Sequence, residues 1–236
     1  MNDPVNKIGE KRITEILQNR ELSMLRQVKR ICQDNNIEFF LACGTALGCV
    51  RHKGFIPWDD DIDIYIRGRD YERLKAALNS GNSGTLRFQD FSTVECYPYT
   101  FPKIVDTSTT LIEQSLVHLP FNCGVYIDVF PIYGVSNNAI VRFFQEKLRY
   151  YRYALLKAYY FDFNSGIRKV LKTLVHACCS PDRIQEKLKR TYLRDKDDST
   201  FLIEPGVFGA QAHLKSDYFK SCKWMQFEDD EMPIPI

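Results

Sequence analysis

The stretch Gly54-Phe55-Ile56-Pro57-Trp58-Asp59-Asp60-Asp61-Ile62-Asp63-Ile64-Tyr65-Ile66 decides how this chain is to be read. Four aspartates fall within five residues, and carboxylates so close repel one another. Their proton affinities must rise, the local backbone must strain, or a cation must neutralise them. From Asp61 onward polar and apolar residues alternate with the period of a half-buried strand. The alternation sends Ile62, Ile64 and Ile66 to one face and Asp61 and Asp63 to the other, the two aspartate Cα atoms roughly 6.6 Å apart along the strand. Side chains so placed converge on one ion, and hard oxygen donors with no cysteine pair nearby favour Mg2+ or Mn2+ over zinc. The competing reading is a solvated acidic strand end or a calcium-type surface loop; Pro57 and Trp58 beside the cluster weigh against it.

Upstream, apolar residues at helical spacing (Ile13, Ile16, Leu17, Leu25, Val28, Ile31) predict a long amphipathic helix over about 8–33, stopped by Asp34-Asn35-Asn36. Residues 37–42 suit a buried strand, and Gly44-Thr45-Ala46-Leu47-Gly48 reads as a turn into a short helix. Downstream, 69–78 reads as a helix and Ser80-Gly81-Asn82-Ser83-Gly84 as a loop. The region 86–131 is rich in β-branched and aromatic residues broken by prolines, which predicts several short strands. One of them, Val125-Tyr126-Ile127-Asp128-Val129-Phe130, carries a single acid that needs a partner or an ion once buried. From Ser136 to about Arg194 the character is helical, with Ser180-Pro181 as a helix start.

The 236 residues, 44% hydrophobic and 26% charged, suffice for one substantial soluble domain with an extension. A formal charge of +2 argues against wholesale nucleic-acid binding. The start Met1-Asn2-Asp3-Pro4 leads into a polar helix and not into an export signal, and no apolar run reaches membrane-spanning length. The eight cysteines form no C-x-x-C pair and read as reduced, mostly buried thiols, Cys178 and Cys179 among them, with no structural zinc. The expected location is cytoplasmic. Between Arg142 and Arg194 stand thirteen Lys or Arg against four acids, an imbalance that Arg168, Lys169, Lys172 and Arg194 help to create. Either these are ordinary solvated helix faces, or they meet a polyanionic glycan or the anionic inner face of the plasma membrane as a peripheral contact.

Three elements therefore gather at one place: a Gly44-Thr45 turn at a helix start, a strand with Asp61 and Asp63, and a strand with Asp128. Gly44 permits close backbone approach, and the helix N-terminus presents free N–H groups to a phosphate. Arg51, His52 and Lys53 supply cations between them. This is a constellation for phosphoryl transfer.

The run from Gly44 to Ile64, with its Arg51-His52-Lys53-Gly54-Phe55-Ile56-Pro57-Trp58-Asp59-Asp60-Asp61-Ile62-Asp63 core, resembles the signature of the LicD family, phosphocholine transferases of bacterial surface glycans related to fukutin and the fukutin-related protein. The resemblance implies an α+β, nucleotidyltransferase-like (polymerase-β-like) fold: a mixed sheet with flanking helices and a helical C-terminal extension. It implies a catalytic core over 1–135 including the N-terminal helix, a basic helical extension over 136–200, and a segment over 201–236 that packs back on the core. It implies Mg2+ or Mn2+ on Asp61, Asp63 and Asp128, with Asp128 as the third acid and the acceptor of a proton. The donor is then CDP-linked, of CDP-choline or CDP-ribitol type, the acceptor a hydroxyl of a lipid-linked or polymeric glycan, and CMP the leaving group. Gly44, Thr45, Arg51, His52 and Lys53 would hold the donor. Trp58 stacks on cytosine or choline, or packs beneath the acidic loop; Asp59 and Asp60 orient Arg51 or bind a second ion; Tyr97, Tyr99 and Tyr126 line an acceptor groove. Phe227-Glu228 and the prolines that follow resemble the family's late Phe-Glu-Gly and proline stretch, with Asp229 where glycine is usual, and the chain ends at Ile236, before the family's usual Tyr-Gly-Asp segment. The alternatives are an NTP-dependent nucleotidyltransferase acting on a small hydroxyl compound and an inactive metal-binding scaffold.

Overall fold

The computed structural model describes residues 4–81, 83–117, 119, 123–160, 173, 177, 179–193, 199–203 and 213–236. A mixed sheet carries the site. Its strands lie in the order β1 (Phe39–Leu41), β2 (Asp63–Arg67), β5 (Tyr126–Gly134), β4 (Lys103–Asp106) and β3 (Leu86–Gln89), and β6 (Phe201–Ile203) with β7 (His213–Lys215) continue from the far end of β5. β2 and β5 are parallel; the other pairings are antiparallel. The protein is thus of the α+β class with helices on a mixed sheet.

The alternation read in the acidic segment sorts its side chains as expected, but both faces of β2 are buried. Ile62, Ile64 and Ile66 pack under Met24, Leu25 and Val28 of α1 (Pro4–Asp34) and Tyr71, Leu74 and Leu78 of α3 (Tyr71–Asn79). Tyr65 on the other face meets Phe40, Phe130 and Phe219. The half-buried strand is therefore corrected to a buried one, because β2 is flanked on both sides in the sheet and an aromatic layer closes its second face. The strand begins at Asp63, and Asp61 stands just ahead of it.

A second correction concerns Gly44 and Thr45, which form the first turn of α2 (Cys43–His52) and not a turn before it. The corner falls one residue earlier, at Cys43, whose φ of 44° lies in the left-handed region. The helical stretch resolves into α4 (Ala139–Tyr160) and α5 (Pro181–Tyr192), the latter with Ser180 as N-cap and proline at its start. Its basic residues are partly used internally: Lys189 bonds Glu72 at 2.5 Å, Arg190 pairs with Glu186, and Arg149 is buried. Arg168, Lys169, Lys172 and Arg194 lie outside the described residues, as does Cys178. Cys32, Cys49 and Cys123 are buried, whereas Cys43 and Cys222 are exposed, so the expectation of mostly buried thiols holds for the core alone. Among the described residues no helix is long and apolar enough to cross a membrane. The chain closes with a hairpin, β8 (Cys222–Phe227) and β9 (Asp230–Pro235), lying against β1.

Candidate active site

Asp63 and Asp128 are register partners on the parallel strands β2 and β5, so their backbones lie about 4.8 Å apart with both side chains on one face. Thr45 secures this end of the sheet: its Oγ1 accepts the Asp63 backbone N–H at 2.8 Å, fixing the start of β2 to the first turn of α2. The lone acid of β5 has found a partner that the sequence reading missed. Lys103, paired with Asp128 in the β4–β5 ladder, donates to Asp128 Oδ1 at 2.6 Å from a fully buried position. Burial raises the proton affinity of Asp128, and the lysine pulls it the other way.

The preceding loop is held from below by α1. Gln18 donates to the Asp59 carbonyl at 2.7 Å, and Arg20 pairs with Asp106 at the end of β4. Asp59 Oδ2 lies over Gly44, where an added methyl would stand 2.7 Å away; this is the close approach that glycine allows. Asp61 shares a hydrogen bond with Asp59, and burial, with Asp59 and Asp128 next, pushes its carboxyl up to about 6. One helical turn beyond Gln18, Glu21 is 3% exposed and its Oε2 has no hydrogen-bond partner among the described residues. Burial and the negative charges of Asp61, Asp60, Asp128 and Asp59 push Glu21 up to about 9. Both missed residues left a trace in the sequence: a lysine inside Phe101-Pro102-Lys103-Ile104-Val105, and an acid on the same helix face as Leu17, Met24, Leu25 and Val28.

Other expected residues are placed elsewhere. Arg51, His52 and Lys53 are exposed at the far end of α2, roughly 12 Å along its axis from Gly44, so the structure does not bring them to the carboxylates. Among the described residues, no ion pair joins Arg51 to Asp59 or to the exposed Asp60. Trp58 is 80% exposed, which removes packing beneath the loop as its role. The tyrosines do not form an open groove: Tyr97 is buried with its hydroxyl on the Phe101 carbonyl, and Tyr99 and Tyr126 turn their rings onto Lys103. The late Phe-Glu element has a defined task. Glu228 N–H donates to the Lys53 carbonyl at 2.6 Å, its Oε1 accepts Phe55 N–H at 3.0 Å, and Phe227 packs on Phe55. Asp229, in the usual glycine position, pairs with Arg26 of α1.

What fold and site define is an α+β protein with a carboxylate-rich centre at the mouth of two parallel strands, beside a helix N-terminus. Residues 36–164 match the family described as LicD/FKTN/FKRP, nucleotidyltransferase domain. The chain belongs to that family. It is 32% identical over 120 residues to the lipopolysaccharide cholinephosphotransferase LicD of Haemophilus influenzae, a stretch covering 49% of this chain and 43% of that protein. An uncharacterized protein of Rickettsia prowazekii is 40% identical over 55 residues, 23% of this chain and 21% of its own length. The chain therefore matches less than half of the length of these relatives.

The divalent cation expected from the sequence can be set against the donors present. The donor chemistry fits one: every candidate is a hard oxygen, Asp61 is raised by burial and then by its acidic neighbours, and a carboxylate oxygen of Glu21 is buried without a hydrogen-bond partner among the described residues. The side chains are not drawn into a closed ligand set, since among the described residues no three His, Cys, Asp or Glu groups converge as a metal site does.

Proposed function

We propose that this protein transfers phosphocholine from a nucleotide-linked donor of the CDP-choline type to a hydroxyl of a cell-surface glycan, on a nucleotidyltransferase-like fold. The observation that carries this reading is the facing pair Asp63 and Asp128 beside the N-terminus of α2, in a chain akin to a lipopolysaccharide cholinephosphotransferase. The N–H groups of Gly44 and Thr45 stand ahead of the i−4 ladder in the first turn of α2 and suit a donor phosphate. Mg2+ or Mn2+ held by Asp61, Asp63 and Asp128 would supply neutralisation of the diphosphate charge. The acceptor hydroxyl attacks the phosphorus distal to cytidine; the new P–O bond forms as the bond to CMP breaks. Asp128 receives the hydroxyl proton on the oxygen that Lys103 leaves open, its burial favouring the protonated product. Exposed Trp58 offers a face to cytosine or to the trimethylammonium group. Arg51, His52 and Lys53 lie far enough from Gly44 to meet a distal part of the donor or an anionic glycan.

Peripheral membrane contact belongs to the same proposal. α4 exposes Ile140, Phe143, Phe144, Leu148 and Tyr151 beside the exposed Lys147, the pairing of apolar bulk and positive charge that suits an anionic lipid surface. The test of the main reading is CMP release from CDP-choline with Mg2+ and a choline-free glycan acceptor, in wild type and Asp128→Asn. Release that vanishes in the variant, with its melting temperature retained, is the expected result. Pyrophosphate release from nucleoside triphosphates would replace this reading with nucleotidyl transfer, and binding of CDP-choline without turnover would make the protein a scaffold.

A further inference from the structure

Lys103 is 1% exposed, and four groups are arranged to keep its ammonium in one place. Its Nζ lies 2.6 Å from Asp128 Oδ1, 3.3 Å from the centroid of the Tyr126 ring and 4.2 Å from that of Tyr99. Both tyrosine hydroxyls reach Oε1 of Glu113, at 3.3 Å from Tyr126 and closer still from Tyr99. A cation bonded by a carboxylate on one side and ring faces on others is held in position. A lysine, two tyrosines and a glutamate are thus committed to one oxygen of Asp128. A hydrophobic side chain would fill the same space without the desolvation cost of a buried ion pair, so volume alone does not explain the choice.

We infer that Lys103 is a positioning residue of the transfer reaction: it occupies Asp128 Oδ1 and so presents Oδ2 to the reacting centre in one orientation. The inference rests on the reading of Asp63 and Asp128 as that centre. The ammonium repels a divalent cation bound at the same carboxylate while it orients that carboxylate for turnover. Removing the charge therefore strengthens cation binding and weakens catalysis together, whereas a residue that merely fills space, once lost, weakens both.

The experiment is a Mn2+ titration followed by electron paramagnetic resonance, alongside kcat and KM for CMP release from CDP-choline, in wild type, Lys103→Gln and Tyr126→Phe. Lys103→Gln should bind Mn2+ at least threefold more tightly and lose at least 100-fold in kcat, with the donor KM within threefold of wild type. Tyr126→Phe keeps the ring and the charge but removes one anchor to Glu113. It should lower kcat at least threefold with Mn2+ affinity unchanged, and it carries the test alone if Lys103→Gln does not fold. Unchanged or weaker Mn2+ binding by Lys103→Gln, or kcat in either variant equal to wild type, overturns the inference while leaving the proposed function standing. Wild-type protein that binds no Mn2+ and releases no CMP overturns both.

Discussion

Replacing Gly54 with alanine tests whether the C-terminal hairpin clamps the turn that leads into the aspartates. Gly54 is buried, its φ lies outside the left-handed region, and a methyl there would meet the Glu228 side chain first, with Oε1 at 2.0 Å. That oxygen accepts the Phe55 N–H, so the methyl must expel it. A charge-assisted hydrogen bond at an exposed position contributes about 1.5 kcal/mol. Alanine returns about 0.4–1 kcal/mol by restricting the unfolded chain, leaving Gly54→Ala destabilising by about 0.5–1 kcal/mol. For a domain of this size that is roughly 1–4 °C in melting temperature. In a Glu228→Ala background the obstruction is gone, and the same alanine should be neutral or stabilising. The sign of the Gly54→Ala effect should thus invert between the two backgrounds, a coupling measurable by a double-mutant cycle of thermal melts. Hydrogen exchange at residues 53–58 should quicken in both single variants. Equal Gly54→Ala effects in the two backgrounds would refute the clamp, as would unchanged exchange at the turn.

Glu21 should give the cation-free protein a falling stability at neutral to mildly alkaline pH. Its carboxyl rises from 4.5 to about 9 on folding, chiefly by burial and then by Asp61, so between those values the folded state keeps a proton that the unfolded chain has released. Stability must then decline by about 1.4 kcal/mol per pH unit across that window. Melts in EDTA from pH 7 to 8.5 should show the slope in wild type and a flatter line in Glu21→Gln; parallel lines would contradict it. Gly124→Ala should be far more damaging than Gly54→Ala, because its methyl would stand 2.1 Å from the Asp106 carbonyl, which is backbone and cannot yield. A loss of about 3 kcal/mol or more in urea unfolding is expected, on the scale of severe overpacking. Trp58→Ala should leave stability within about 0.5 kcal/mol, since the ring is 80% exposed, while raising the donor KM severalfold; a large stability loss would mean that the ring packs after all.

The alternation after Asp61 and the apolar run around the lone Asp128 sufficed to put Asp63 and Asp128 on strands, and the residues after Gly44 to show a short helix, its start displaced by a residue, because these depend on local pattern: period two or an apolar run in a strand, and helical spacing. Local pattern also identified the sides of β2, with Ile62, Ile64 and Ile66 facing α1 and α3. It could not reveal that the opposite side is buried, since Phe40, Phe101 and Phe219 come from three distant segments. Nor could it show that Arg51, His52 and Lys53 stand apart from Gly44 and Thr45, because nearness in sequence hides the length of α2 between them.

Tertiary structure alone decided which charges meet. Lys103 and Asp128 are 25 residues apart and join through an antiparallel ladder, Glu21 enters the acidic cluster from a helix some 40 residues earlier, and Glu228 reaches Gly54 and Phe55 from the opposite end of the chain. The electrostatics of a buried site follow distance and desolvation, not spacing along the chain. Sequence therefore determined which groups could do the chemistry, and the fold determined which of them are paired, which are exposed and which are left to repel one another.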